Sequence, residues 1–146
     1  GDEAPAYICW GHNNRSALVR VPMYKPGKER SARVEYRALD AAANPYLAFT
    51  AILMAGLDGI QNQIDPGDAI DKNLYDLPPE EAANLKTVPE SLRGSLESLA
   101  ADHEFLLKGD VFTKDFIDNF IKLKGAEYDE VRLRTHPQEY VLYYDV

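Results

Sequence analysis

Three features of this sequence predict an α+β fold. Before residue 40, apolar and polar residues alternate in short runs; after Asn44 the apolar period becomes helical; beyond that point only helical patterns follow. Strands first and helices afterwards are segregated, which separates α+β from the alternating order of an α/β sheet. At 146 residues the chain has the length of one ordinary domain and can bury a working core.

The strands come in order. "APAYICW" and "RSALVRVP" read as strands, the second with Ala17, Val19 and Val21 alternating with Ser16, Leu18 and Arg20. "MYKPGKER", with Pro26 and Gly27 at its centre, turns the chain back into a strand over 32–38, so antiparallel pairing in a hairpin or meander is expected. "NPYLAFTAILMAGLDGI" opens with Asn44 as N-cap and Pro45 at the first helical position, and its nearly unbroken apolar run predicts a helix buried almost all round. "DPGDAIDKNLYDLPPEEA" is loop by its prolines, glycine and aspartates.

"SLRGSLESLAADHEFLLKG" and "TKDFIDNFIKLKGAEYDEVRLR" are helical, with Gly109 a stop, Thr113 an N-cap, and Phe116, Phe120 and Leu123 an apolar stripe. "HPQEYVLYYDV" starts a short helix at Pro137. A sheet that begins at the first residue with no turn ahead of it is expected to have neighbouring strands before Gly1.

Hydrophobic residues make up 45% and charged residues 27%, the composition of a globular protein. The single cysteine, Cys9, allows no internal disulfide and fits a reducing compartment. No run reaches the roughly 20 apolar residues of a membrane span, and no signal-like start is visible, so a cytoplasmic location is expected. His12, His103 and His136 lack the close pairing of a metal site.

The net charge of −8 argues against a nucleic-acid partner. That average hides a division, with residues 1–40 at +2 and residues 41–146 at −10. Five of the eight arginines fall between Arg15 and Arg37, which suits small anions held in a local pocket.

"SARVEYRA" concentrates that charge. On a strand, Arg33, Glu35 and Arg37 share one face, spaced about 7 Å apart. Two readings are open: a solvent-facing salt ladder, worth about 0–1 kcal/mol per pair, or the lining of a cleft in which guanidiniums receive anions and an ionised carboxylate meets a metal.

Six stretches carry a resemblance: "EAP" at 3–5, "NRSALVRVP" at 14–22, "RVEYR" at 33–37, "NPYLAFTAILMAGLDGI" at 44–60, "NLYDLPPEE" at 73–81 and "HPQEYVLYY" at 136–144. With these in order, the chain resembles the C-terminal part of the catalytic (guanido-kinase-like) domain of a class I, bacterial-type glutamine synthetase. The resemblance implies ATP-dependent ligation of ammonia to L-glutamate through a γ-glutamyl phosphate, with Mg²⁺ or Mn²⁺ as cofactor. It also implies a strand-rich active-site part over 1–40 and a mainly helical part over 41–146 that ends in a C-terminal strap.

The resemblance assigns roles residue by residue. Glu3 would close over glutamate and take a proton from ammonium. Arg15 would contact the transferring phosphoryl group and the substrate; Arg20, Lys28 and Arg33 would contact ATP. Glu35 would ligate a metal ion and Arg37 would hold a carboxylate of glutamate. Tyr75 would be the adenylylation site, implying an adenylyltransferase partner, although a plain structural tyrosine fits as well. Tyr140 to Tyr144 would strap one hexameric ring to another in a dodecamer; folding back on their own domain is the alternative.

Asp2 departs from the family by replacing an aromatic residue. The other metal ligands and most nucleotide-base contacts of the family are expected upstream of Gly1, so the 146-residue segment is expected to be inactive alone. Ligation of glutamate to other amines within the same family, or a non-catalytic binding and assembly module, are the competing readings.

Overall fold

The computed structural model describes residues 5–145. They form two compact units, one ending at Val88 and the other beginning at Pro89.

In the first unit β1 (Trp10–His12), β2 (Val19–Val21) and β3 (Glu35–Tyr36) make a three-stranded sheet in that order. β2 and β3 are antiparallel, with Arg20 opposite Glu35. The reversal between them passes through Gly27, whose φ of 80° suits a residue without a Cβ. β1 and β2 are parallel, with Trp10 opposite Val19, which corrects the expectation of antiparallel strands throughout.

Parallel neighbours ordinarily need a crossover of about a dozen residues or more. Here 13–18 suffice because the segment leaves the sheet through Asn13, at a left-handed φ of 53°, and then buries Ser16, Ala17 and Leu18 before rejoining it. The strand expected over 32–38 is shorter than its pattern. Beyond Tyr36, the Arg37 N–H still donates to the Leu18 carbonyl at 2.9 Å.

α1 (Pro45–Gln61) begins as its sequence dictates: the Asn44 side chain accepts from the N–H groups of Tyr46 and Leu47 at 3.0 and 3.3 Å. Its expected burial is corrected. No residue of α1 is buried, and Tyr46, Phe49, Leu53 and Ile60 are exposed, because no other element of the unit packs along it. The segment after α1 passes a 3₁₀ turn at Leu74–Asp76 and α2 (Pro79–Ala82), then returns to the start of the unit, where the Ile8 N–H donates to Lys86 and the Val88 N–H to Ala6, both at 2.8 Å.

The same segment presses on β1 at Gly11. A Cβ there would lie 2.2 Å from the Ile70 carbonyl oxygen, so the position requires glycine. The Trp10 indole donates to the Gly67 carbonyl at 2.8 Å. Partial burial pushes the Cys9 thiol pKa up, leaving it a weak nucleophile.

The second unit is helical: α3 (Leu92–Ala101), α4 (Glu104–Leu107), α5 (Lys114–Arg132) and α6 (Pro137–Tyr143). Ser91 and Thr113 cap α3 and α5, accepting from Gly94 and Phe116 at 3.1 and 3.2 Å. α3 packs on α5 around Leu96 and Ile117, while Leu106 and Phe112 fill the core beside them.

The helix expected over 91–109 breaks after Ala101, where His103 turns inward and its Nδ1 meets the Leu99 carbonyl at 2.9 Å. Gly109 stops the helical run at φ 69°. The expected stripe on α5 is rotated: Ile117 is buried and Leu123 exposed, while the Phe116 ring meets Phe112 at a tilt, 5.6 Å away, and stacks on Phe120 at 6.3 Å. On α6 the run from Tyr140 to Tyr144 is exposed rather than folded back on the unit. Among the described residues no helix is long and apolar enough to cross a membrane.

Candidate functional site

The β2–β3 register builds the site. Because Arg20 stands opposite Glu35, its Nη1 donates to Glu35 Oε2 at 3.0 Å. Two residues along the same strand run, Arg33 donates from Nη2 and Nε to Oε1 at 3.0 and 3.2 Å. One carboxylate is thereby held between two guanidiniums. Arg20 and Glu35 are partly sheltered, at 24% and 29% side-chain exposure, whereas Arg33 stands 56% exposed, so the group is not a uniformly solvated ladder.

Two donors there are left over. Arg20 Nε and Arg37 Nη1 are buried and lack a hydrogen-bond partner among the described residues. A buried donor left unmade costs about 1–3 kcal/mol. Arg37 follows Glu35 at the strand alternation, with its backbone fixed to Leu18. The three guanidiniums gather positive charge around one held carboxylate, a chemistry that suits anionic oxygens.

Arg15 is exposed, and no ion pair binds its side chain to a described residue. Lys28 is also exposed, at the N-cap of a 3₁₀ turn (Glu29–Ser31), where Gly27, Lys28, Glu29, Arg30 and Ser31 line an open depression of about 500 Å³. Tyr75 is 47% exposed on the turn that Asn73 caps through the Tyr75 N–H at 3.2 Å. Glu3 lies outside the described residues.

A divalent cation does not fit these residues unaided. Mg²⁺ takes near-octahedral oxygen coordination from several sources. Among the described residues no group of three or more His, Cys, Asp or Glu side chains could hold a metal, and both Glu35 oxygens already accept from arginines.

The family model described as "Glutamine synthetase, catalytic domain" matches residues 1–143. The chain belongs to that family. It is 56% identical over its full length to glutamine synthetase of Pseudomonas aeruginosa and 54% identical over 99% of its length to that of Neisseria gonorrhoeae. It spans only 31% and 30% of those relatives. Among solved structures, one described as a GmaS/ADP complex shares 33% identity at a TM-score of 0.79, over 99% of this chain and 31% of that one. Plasmodium falciparum glutamine synthetase gives a TM-score of 0.83 at 24% identity, over 97% of this chain and 35% of that one, and shares the fold.

Within this family segment, sequence reasoning missed three polar side chains. Asn14 and Ser16 are buried and hydrogen-bonded to each other, and Asp71 accepts from the His12 N–H at 2.6 Å. That backbone hydrogen bond holds the Asp71 carboxyl below the usual range. Their other partners lie more than fifty residues away along the chain, so no local pattern announces them.

Proposed function

We propose that the chain is part of a longer glutamine synthetase that ligates ammonia to L-glutamate at the expense of ATP. The observation that carries this reading is the Arg20–Glu35–Arg33 group, with its unpartnered buried donors on Arg20 and Arg37. Family membership supplies the reaction; the arginine cluster supplies the chemistry that the reaction needs.

A carboxylate is a poor electrophile. The γ-carboxylate oxygen of glutamate therefore takes the γ-phosphoryl group of ATP, releasing ADP; ammonia nitrogen then attacks the carbonyl carbon of the resulting acyl phosphate, and phosphate leaves. The C–N bond forms at the carbon that bears the phosphate, as the C–O bond to phosphate breaks. Both steps gather negative charge on phosphoryl oxygens, where preorganised guanidiniums act most strongly. In this reading Arg15 meets the transferred phosphoryl group, and Arg20, Lys28 and Arg33 meet ATP. Arg37 holds a carboxylate of glutamate, and Glu3 takes the ammonium proton. The ADP in the GmaS structure supports nucleotide binding on this fold. Glu35 would hold a Mg²⁺ or Mn²⁺ ion only by giving up one of its arginine contacts and together with ligands from outside the described residues, and the ion would then neutralise phosphoryl charge.

We further assign cytoplasmic assembly as a dodecamer strapped by α6, supported by the exposed Tyr140–Tyr144 run, and adenylylation at Tyr75, supported by its exposure. An unshifted Tyr75 peptide in mass spectra of native protein from nitrogen-replete cells would count against the modification.

The test of the main reading is direct. The full-length protein is expected to form glutamine and phosphate only when ATP, glutamate, ammonia and a divalent cation are all present. Residues 1–146 alone are expected to form none. Failure of the full-length protein to make glutamine, or turnover by the segment alone, overturns the proposal.

A further inference from the structure

Arg15 is the one exposed side chain in an otherwise buried run from Asn14 to Leu18. Its two neighbours are locked to each other beneath it. Asn14 Oδ1 accepts from both the backbone N–H and the hydroxyl of Ser16, at 2.9 and 2.6 Å. Asn14 Nδ2 donates to the carbonyls of Ile70 and Lys72, at 2.7 and 2.9 Å. Ser16 Oγ in turn accepts from the Leu74 N–H at 2.9 Å. The orientation of the Asn14 amide is fixed by its partners, since two carbonyls can only accept and the Ser16 N–H can only donate. Every polar site on that amide is used.

We infer that Asn14 and Ser16 are positioning residues that set Arg15 over the reaction centre, using the 70–74 segment as their anchor. Neither side chain can reach a substrate, at 7% and 2% exposure. Their hydrogen bonds fix the backbone immediately before and immediately after Arg15 and leave its guanidinium projecting. The inference rests on the proposed role of Arg15. Misplacement of a catalytic group by about 1 Å can cost about 10²-fold in rate.

The test is a double-mutant cycle in the full-length protein, read as kcat for ATP-dependent glutamine formation at saturating substrates. Asn14→Asp keeps the shape of the side chain but turns a carboxylate oxygen toward the Ile70 and Lys72 carbonyls. It is expected to lower kcat about 10²-fold, with KM values changed less than about threefold, and to add almost nothing in an Arg15→Lys background. Ser16→Ala, which adds no volume, is run through the same cycle and carries the test if Asn14→Asp does not fold. Equal losses with and without the Arg15 change indicate general destabilisation and overturn the inference. An Arg15→Lys enzyme as active as the unsubstituted one instead overturns the role proposed for Arg15.

Discussion

The two units are held together by different means. In the second, α3 packs on α5 through Leu96 and Ile117, with Ser91 and Thr113 closing the helix starts. In the first, the strands are two or three residues long and α1 has no buried residue, so beside the buried Ala17, Leu18 and Leu74 the region around the sheet relies on polar side chains whose hydrogen bonds span more than fifty residues. A helical pair gains its order from apolar area and local hydrogen bonds; a loop-rich site gains it from a few satisfied buried amides and hydroxyls. Damage should therefore appear as lost stability in one unit and as lost turnover in the other.

Substitutions can break that contrast. The largest effect is expected from Glu35→Gln in the full-length protein, which weakens both arginine contacts and should lower kcat by about 10³-fold, equivalent to about 4 kcal/mol of barrier. The thermal midpoint should hardly move; a large drop in melting temperature with kcat preserved would reverse the assignment of the first unit.

Next comes Ile117→Ala, which empties a buried position between α3 and α5. It should cost about 3 kcal/mol in denaturant unfolding, and a loss below about 1 kcal/mol would mean that the helical pair is not packed as described. Thr113→Ala removes the α5 cap, for an expected loss of about 1 kcal/mol by the same measurement.

The smallest effect concerns acid. Asp71 has its pKa depressed chiefly by the His12 N–H, so the unfolded chain takes up this proton more readily than the folded one. Its stabilising contact is complete above the ordinary aspartate value of about 3.9 and fades as pH falls through the lower folded value. Asp71→Asn should flatten that part of an acid titration followed by tryptophan fluorescence, since Trp10 lies beside His12 with ring centroids 5.1 Å apart. An unchanged acid limb would remove Asp71 from the closure of the loop.

Much of the helical half was legible because its signals are local. Asn44, Thr113, Pro137 and Gly109 act within a turn of where they stand, and each marks a boundary in the structure. The Arg33–Glu35 contact was legible for the same reason, since alternation along a strand is a two-residue property. The parallel pairing of β1 with β2 was not, because alternation is the same whichever way a neighbouring strand runs. Burial of Asn14 and Ser16 was also hidden: polar residue types between two strands look like any turn until the 70–74 segment is brought against them. The apolar richness of α1 gave the wrong surroundings, because composition reports what a helix can pack against and not whether a neighbour is there.

Gly11 carries a consequence for how this family segment can vary. With the Ile70 oxygen sitting where a methyl group would go, the main chain of one strand and that of a distant loop meet without any side chain between them. Whatever varies around it, that seam admits a hydrogen atom and nothing larger.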